Sequence, residues 1–113
     1  MPQYAALIYS RDVDWTDPQY AQETADYAEF GEAAAAVIRG GAALYPTSTA
    51  TTVRVTEKGG DVTTTDGPYA ETKEVLTGFY LLECADLDEA IAVARAHPMA
   101  HLGRVELRPY RDN

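Results

Sequence analysis

The densest group of chemically capable side chains lies between Asp66 and Glu74. Asp66 could act as a general base, because a carboxylate beside a pocket can accept a proton from a bound substrate. Lys73 could hold an anionic ligand through its ammonium group. Gly67 and Pro68 shape the entry to this segment, since glycine permits unusual φ angles and proline fixes φ. We therefore predict that this loop borders the main pocket.

Each of these residues also has a structural alternative. The Asp66 carboxylate could accept hydrogen bonds from the backbone N–H groups of Tyr69 or Ala70 and so hold the turn. Lys73 and Glu74 could form a solvated ion pair. Tyr69 is a further candidate for ligand contact. The sequence leaves the structural and the functional interpretation open.

Two arginines on predicted strands, Arg54 and Arg108, form a second group of candidates. A guanidinium group binds carboxylate or phosphate with a matching fork of donors, so both could contact an anion. Alternatively, Arg108 pairs with Glu106, which shares its face of the strand. Tyr9 and Tyr80 could present their hydroxyl groups to the same pocket.

His97 and His101 are spaced four residues apart, as metal ligands on one helix would be. Pro98 lies between them and disfavours a continuous helix, so we predict no metal site. His97 is instead a candidate ligand contact, or a helix C-terminal residue favoured by the helix dipole. There is no phosphate-binding loop or dinucleotide fingerprint, so we predict no cofactor.

Composition narrows the class of protein. The 113 residues fit one domain, spanning 1–113. Nine basic against 18 acidic residues give a net charge of −9, which argues against binding nucleic acid. Cys84 is the single cysteine, and we predict that it is buried as a small hydrophobic side chain. Neither a signal peptide nor a membrane span is recognisable, so we expect no membrane association and a cytoplasmic location.

The elements that position these residues follow from hydrophobic periodicity. Strands are predicted at 4–9, 42–45, 51–56, 61–65, 77–84 and 104–110. The runs at 51–56 and 61–65 form a hairpin. A first helix is predicted from Pro18 to Arg39, ended by Gly40-Gly41, and a second begins after Asp86 and closes at His97-Pro98. The order β-α-β-(ββ)-β-α-β predicts an α+β ferredoxin-like sandwich with an added hairpin.

Two helices can cover only one face of such a sheet. The first strand nevertheless carries apolar side chains on both faces, and so does the strand at 77–84. A second apolar face of this size is not left in water. The sequence therefore predicts a homodimer formed through the helix-free face.

Several blocks of the chain resemble one known family in the right order. They lie at 44–46, 49–54, 66–74, 78–81, 87–90 and 105–109. Together they resemble the YCII-related family. The block DGPYAETKE resembles the signature of its DGPF branch, with Tyr69 in place of the usual Phe. The resemblance covers nearly the whole chain.

The resemblance implies a dimeric α/β barrel and says little about chemistry. It also hints at regulation, because genes of this branch often neighbour those of extracytoplasmic-function sigma factors. Enzyme-like members of the wider superfamily have a His on the first helix and a late Asp-Pro pair. Here the first helix has no His and the late pair reads His97-Pro98. A His–Asp dyad of that type is therefore not expected.

We predict a small-ligand-binding dimer with a regulatory or accessory role. One alternative is a cofactor-independent isomerase or lyase, with Asp66 as base and Lys73 or Arg108 holding an anionic substrate. Another is a protein-interaction module linked to sigma-factor regulation. A pocket with converging Asp, Lys and Arg would favour ligand binding or catalysis over the interaction module.

Overall fold

The structure, a computed structural model, describes residues 2–70 and 72–111. Its strands are β1 (Gln3–Arg11), β2 (Ile38–Ala43), β3 (Thr51–Val55), β4 (Val62–Asp66), β5 (Glu74–Glu83) and β6 (Arg104–Tyr110). Its α-helices are α1 (Ala21–Ala33), α2 (Leu87–Arg95) and α3 (Met99–Leu102). Glu71, within the loop that the sequence singles out, lies outside the described residues.

Four strands form one antiparallel sheet in the order β2-β5-β1-β6. Strands β3 and β4 pair only with each other, as the predicted hairpin. This arrangement confirms a mixed α+β fold and is consistent with the ferredoxin-like class. The molecule measures 19 Å along its shortest axis, which is room for about two layers. In the described residues, Phe30 of α1 and Ala90 of α2 pack on one face of the sheet, whereas the β1 residues that point to the other face stay partly exposed.

The core lies between the sheet and the helices. Along β1, alternate residues from Tyr4 to Ser10 are buried, and the residues between them are partly exposed. Tyr4 and Ala6 pack with Leu82 and Cys84 of the neighbouring strand and with Ala90 of α2. Cys84 is fully buried, as predicted for a small hydrophobe, and burial raises the pKa of its thiol.

The predicted first helix is too long. The segment begins with a 3₁₀ turn at Pro18–Tyr20, where the Asp17 carboxylate accepts a hydrogen bond from the Gln19 backbone N–H. Helix α1 then ends at Ala33. Residues from Ile38 onward pair with β5, so the predicted short strand begins earlier than expected. The alanine run forms the end of α1 and a turn, and strand pairing with β5 replaces the predicted helix only from Ile38 onward.

The second helix has the predicted limits. The Asp86 carboxylate accepts a hydrogen bond from the Glu89 N–H at 2.9 Å, and Glu89 Oε1 accepts one from the Ala85 N–H at 2.9 Å. This reciprocal capping fixes where α2 begins. The helix ends before His97-Pro98, and α3 starts separately. The predicted break between His97 and His101 is confirmed.

Candidate functional site

A cavity lies between α1, the strands β2, β5 and β1, and the segment that follows α2. Its volume is about 250 Å³, close to the lower end of about 300–1,000 Å³ that is usual for small-molecule sites. The side chains most relevant to binding are Ile8, Ala43, Tyr27, Thr77, Tyr80 and His97. The lining is mostly apolar with a few polar groups, as small-molecule sites usually are.

His97 is the most unusual residue of this cavity. Its side chain is almost entirely buried, at 2% exposure. Nδ1 accepts a hydrogen bond from the Met99 backbone N–H at 3.0 Å, so the neutral imidazole carries its proton on Nε2. Nε2 is buried and has no hydrogen-bond partner among the described residues. Such a buried, unpaired donor calls for an explanation.

Burial keeps His97 neutral. It lowers the pKa of His97 to about 4, because charging the ring in this apolar setting is costly. On its other side His97 borders a shallow cleft that also contains Asp26, Glu29 and Arg95. Burial of the ring remains the cause of this lowered pKa.

Three aromatic rings surround the imidazole. The ring centroids of Tyr27 and Phe30 each lie 4.8 Å from that of His97, and the centroid of Tyr80 lies 5.4 Å away. Burial raises the pKa of Tyr27 to about 12 and also raises the pKa of Tyr80. Both phenols therefore stay protonated near neutral pH and can donate hydrogen bonds.

Local backbone geometry opens this cavity. Gly41 has a φ of 146°, and a Cβ there would lie 2.3 Å from the carbonyl oxygen of Phe79. Glycine thus allows β2 to approach β5 where both line the cavity. A second irregularity lies beside the cavity, because the register of β1 against β5 shifts between Tyr9 and Ile8, a residue of the lining. Gly41 therefore serves strand pairing, and the prediction that it ends the first helix is wrong.

Two further clefts adjoin the main cavity. Both clefts are lined by Trp15, Tyr27 and Ala43. Tyr27 and Ala43 also line the cavity at His97. Trp15 Nε1 is buried and, like His97 Nε2, has no hydrogen-bond partner in residues 2–70 and 72–111. The clefts also contain Glu23 and Asp14. An apolar groove with an acidic rim thus leads to His97.

The segment around Asp66 does not line the cavity at His97; its residues Pro68, Ala70 and Thr72 line a separate cleft of about 270 Å³. Asp66 ends β4 and is exposed. Among the described residues, the Asp66 carboxylate does not accept the hydrogen bond from Tyr69 or Ala70 that the structural alternative required. The turn is held instead by Gly67 N–H donating to Ala50 O at 2.7 Å and by Thr52 Oγ1 donating to Gly67 O at 2.8 Å. In the part of the chain that the structure describes, the Asp66 carboxylate has no hydrogen-bond partner.

The other residues predicted for this site are also spread over the surface. Tyr69 is 92% exposed, and Arg54 and Lys73 are exposed. Lys73 lines neither the cavity at His97 nor its adjoining clefts. Glu74 pairs with Arg104 at 3.3 Å, and no ion pair with Lys73 forms among the described residues. Whether these residues bind an anion stays a prediction.

Tyr9 and Arg108 lie on the helix-free face of the sheet. Arg108 pairs with Glu106 at 2.9 Å, so the structural alternative for Arg108 is confirmed. The Tyr9 hydroxyl donates to the same carboxylate at 3.3 Å. The hydrogen bond from Arg108 is the main cause that lowers the pKa of Glu106. The structure does not bring Arg108 to Asp66 or Lys73.

Two residues that the sequence singled out line the cavity. They are His97, a candidate ligand contact, and Tyr80, whose hydroxyl group was expected to face a pocket. Tyr27, Thr77 and Trp15 were missed as site residues. The spacing of Tyr27 from Thr24 and Gly31, three and four residues, places it on one face of the predicted helix, and this was the signal that could have marked it. Nothing in the sequence indicated that Trp15 reaches the same groove.

In the described residues, no group of three or more His, Cys, Asp or Glu side chains could hold a metal ion. Within the same ranges, no helix is long and apolar enough to cross a membrane.

Comparison with known proteins gives two findings. A family model described as YCII-related domain matches residues 3–112. A segment of 72 residues is 49% identical to an uncharacterized protein of Rhizobium meliloti (strain 1021), covering 60% of this chain and 55% of that relative. The alignment thus spans little more than half the length of the relative, whose name states no activity.

Proposed function

The chain belongs to the YCII-related domain family, and we propose that it binds a small ligand in the cavity at His97, in a regulatory or accessory role. The observation that carries this proposal is a cavity of about 250 Å³ whose mostly apolar lining includes the buried, neutral His97 together with Tyr27 and Tyr80. Small-molecule sites commonly combine such an apolar lining with a few polar groups.

The geometry favours binding over proton transfer. Since Nδ1 accepts the Met99 N–H, Nε2 carries a proton and cannot act as a base. The pKa of about 4 also leaves little imidazolium to act as an acid at neutral pH. An isomerase or lyase that uses Asp66 as base remains the alternative, and it would have to work outside this cavity.

A thermal-shift screen of small molecules tests the proposal. Ala43 is an exposed residue at the edge of β2 that lines the cavity and both adjoining clefts. The substitution Ala43→Leu should narrow the groove and abolish the stabilisation that a ligand gives. Ala35→Leu is the matched control, because Ala35 is also exposed and lines none of these cavities. Stabilisation that survives Ala43→Leu would refute binding at this site.

We also propose that two copies pair through their helix-free faces into a dimeric α/β barrel. This face carries Leu7, Phe79 and Leu81 from adjacent strands, and all three are partly exposed. At its edge are Tyr9 and the Glu106–Arg108 pair described above. An apolar centre with a polar rim is the usual composition of a protein interface.

Within the family we propose the DGPF branch, supported by the DGPYAETKE segment, which departs from the signature only in having Tyr69 in place of the usual Phe. A cytoplasmic location and the absence of nucleic-acid binding remain predictions. The net charge of −9 supports the second, because phosphate backbones are repelled.

A further inference from the structure

We propose that the cavity at His97 and its two adjoining clefts bind an amphiphilic organic cation, with its ammonium group at Asp14, Glu23 and Trp15 and its apolar body in the cavity. This inference rests on the proposed binding function and names the class of ligand. One molecule can reach all three spaces, because Tyr27 and Ala43 line each of them.

The sign of the charge follows from the two clefts. Their acidic lining residues are Glu23 in the cleft of about 310 Å³ and Asp14 in the cleft of about 200 Å³. Among residues 2–70 and 72–111, no Lys or Arg lines either cleft. The sequence from 12 to 38 also contains no Lys or Arg. Two carboxylates without a basic residue in the same lining attract a cation and repel an anion.

Both carboxylates are placed to meet a ligand. Thr16 donates its hydroxyl and its backbone N–H to Oδ1 of Asp14, and these bonds lower the pKa of Asp14, so the group is charged at neutral pH. Glu23 is partly buried on α1. Burial, then Tyr80 and then the charge of Glu23 raise the pKa of Tyr27 to about 12. The Glu23 carboxylate therefore lies near the phenol of a residue that lines all three spaces.

The aromatic rings of the clefts favour an organic ammonium group. Trp15 and Tyr27 line both clefts, and Tyr45 lines one of them. A cation over an aromatic face is attracted by the ring quadrupole, most strongly over Trp. Trp15 already makes such a contact, because the guanidinium carbon of Arg11 lies 5.9 Å from its ring centroid. Arg11 lines neither cleft, so a ligand there does not have to displace it.

The apolar body follows from the cavity itself. In the part of the chain that the structure describes, no Lys, Arg, Asp or Glu lines the cavity, and its lining includes Ile8, Ala42 and Phe79. His97 is neutral there, because burial lowers its pKa to about 4. Charge on a ligand is therefore costly inside the cavity and favourable in the clefts. A molecule with one ammonium group at the end of an apolar body meets both conditions.

Three probes of nearly equal size separate the charge classes by NMR titration at pH 7. 4-Phenylbutylamine is a cation, 4-phenylbutan-1-ol is neutral and 4-phenylbutyrate is an anion. We expect the amine to bind at least about fivefold more tightly than the alcohol, since it adds an ion pair and a cation–π contact. The anion should bind more weakly than the alcohol. The amine should shift the indole resonances of Trp15 and the amide resonance of Gly78, which lines the cavity.

Isosteric variants locate the ammonium group. Glu23→Gln and Asp14→Asn each remove one charge and keep the size, and Asn retains a carbonyl oxygen for the Thr16 donors. Each variant should reduce the preference for the amine over the alcohol at least about twofold. Trp15→Leu should reduce it as well, because the cation loses the ring. Glu32→Gln is the matched control, since Glu32 is exposed on the same helix and lines none of the three spaces.

The outcomes are distinguishable. If the alcohol binds as tightly as the amine and both shift Gly78, the proposed binding function stands and the cationic class is overturned. Tighter binding of 4-phenylbutyrate than of the alcohol would also overturn that class. If Glu32→Gln weakens amine binding as much as Glu23→Gln does, the overall charge of the protein attracts the amine, and the ammonium site is refuted. If no probe shifts any resonance of the cavity, the proposed function itself fails.

Discussion

At the scale of single residues, His97 is neutral, almost fully buried and enclosed by aromatic rings. A histidine next to a proline at a helix end gives no hint of such an environment in the sequence. Its position is set by α2, which ends just before it, and by the Met99 N–H, which orients the ring. Burial therefore sets the chemistry of His97, the residue that was a candidate in the sequence and that also lines the cavity.

The burial of His97 predicts how stability depends on pH. The pKa of His97 is about 4 in the folded protein, whereas an unfolded chain has a value of about 6.5. Between these values the unfolded chain binds more protons, so the free energy of unfolding rises with pH and falls on acidification. From pH 7 to pH 5 we expect a loss on the order of 1–2 kcal/mol from this group.

Urea denaturation at pH 7 and pH 5 measures this effect. The variant His97→Gln should lose most of the pH dependence in this range, because it does not titrate. His101→Gln should keep it, since His101 is exposed on α3. Identical slopes in both variants would show that other groups cause the pH dependence.

At the scale of elements, the approach of β2 to β5 depends on Gly41. The variant Gly41→Ala would place a methyl group against the Phe79 carbonyl at an unfavourable φ. We expect a loss of more than about 2 kcal/mol in the free energy of unfolding. Gly31→Ala is the control, because a Cβ on Gly31 of α1 meets nothing within 4 Å. It should stabilise the helix by about 0.5–1 kcal/mol. A mild effect of Gly41→Ala in chemical denaturation would contradict the strand geometry.

The turn after β4 provides a second test of an element. Thr52→Val removes the hydrogen bond to the Gly67 carbonyl and should cost about 1 kcal/mol. Asp66→Ala should change stability by less than about 0.5 kcal/mol, because the Asp66 side chain does not hold the turn. Thermal unfolding of both variants distinguishes them. A larger cost for Asp66→Ala would restore the capping interpretation.

At the scale of the whole molecule, the uncovered sheet face predicts a dimer. Analytical ultracentrifugation at micromolar concentration should give the mass of two chains. Leu81→Asp places a charge in the centre of the proposed interface and should weaken association at least about tenfold. Ile91→Asp is the control, because Ile91 is exposed on α2, away from that face. A wild-type monomer at this concentration would refute the barrel arrangement.

The sequence by itself determined the order of the elements. Apolar runs identified β1 and β5, alternation identified β6, and the capping residue Asp86 and the His97-Pro98 pair bounded α2. These signals are local, because side-chain periodicity and backbone capping depend on neighbours a few residues away. The same local signals predicted the two-faced sheet and offered the pairing of Glu106 with Arg108 as one of two alternatives, which the structure contains.

Only the tertiary structure decided where the cavity lies. The sequence favoured the loop at Asp66 because its polar residues are dense, and it gave no sign of the cavity that forms where Tyr27, Tyr80 and His97 meet from three separate elements. Likewise, Ile38 to Ala43 became a strand because β5 offers unsatisfied backbone partners to it. Both outcomes depend on contacts between residues far apart in the chain. The burial that sets the chemistry of His97 exists only after those contacts form.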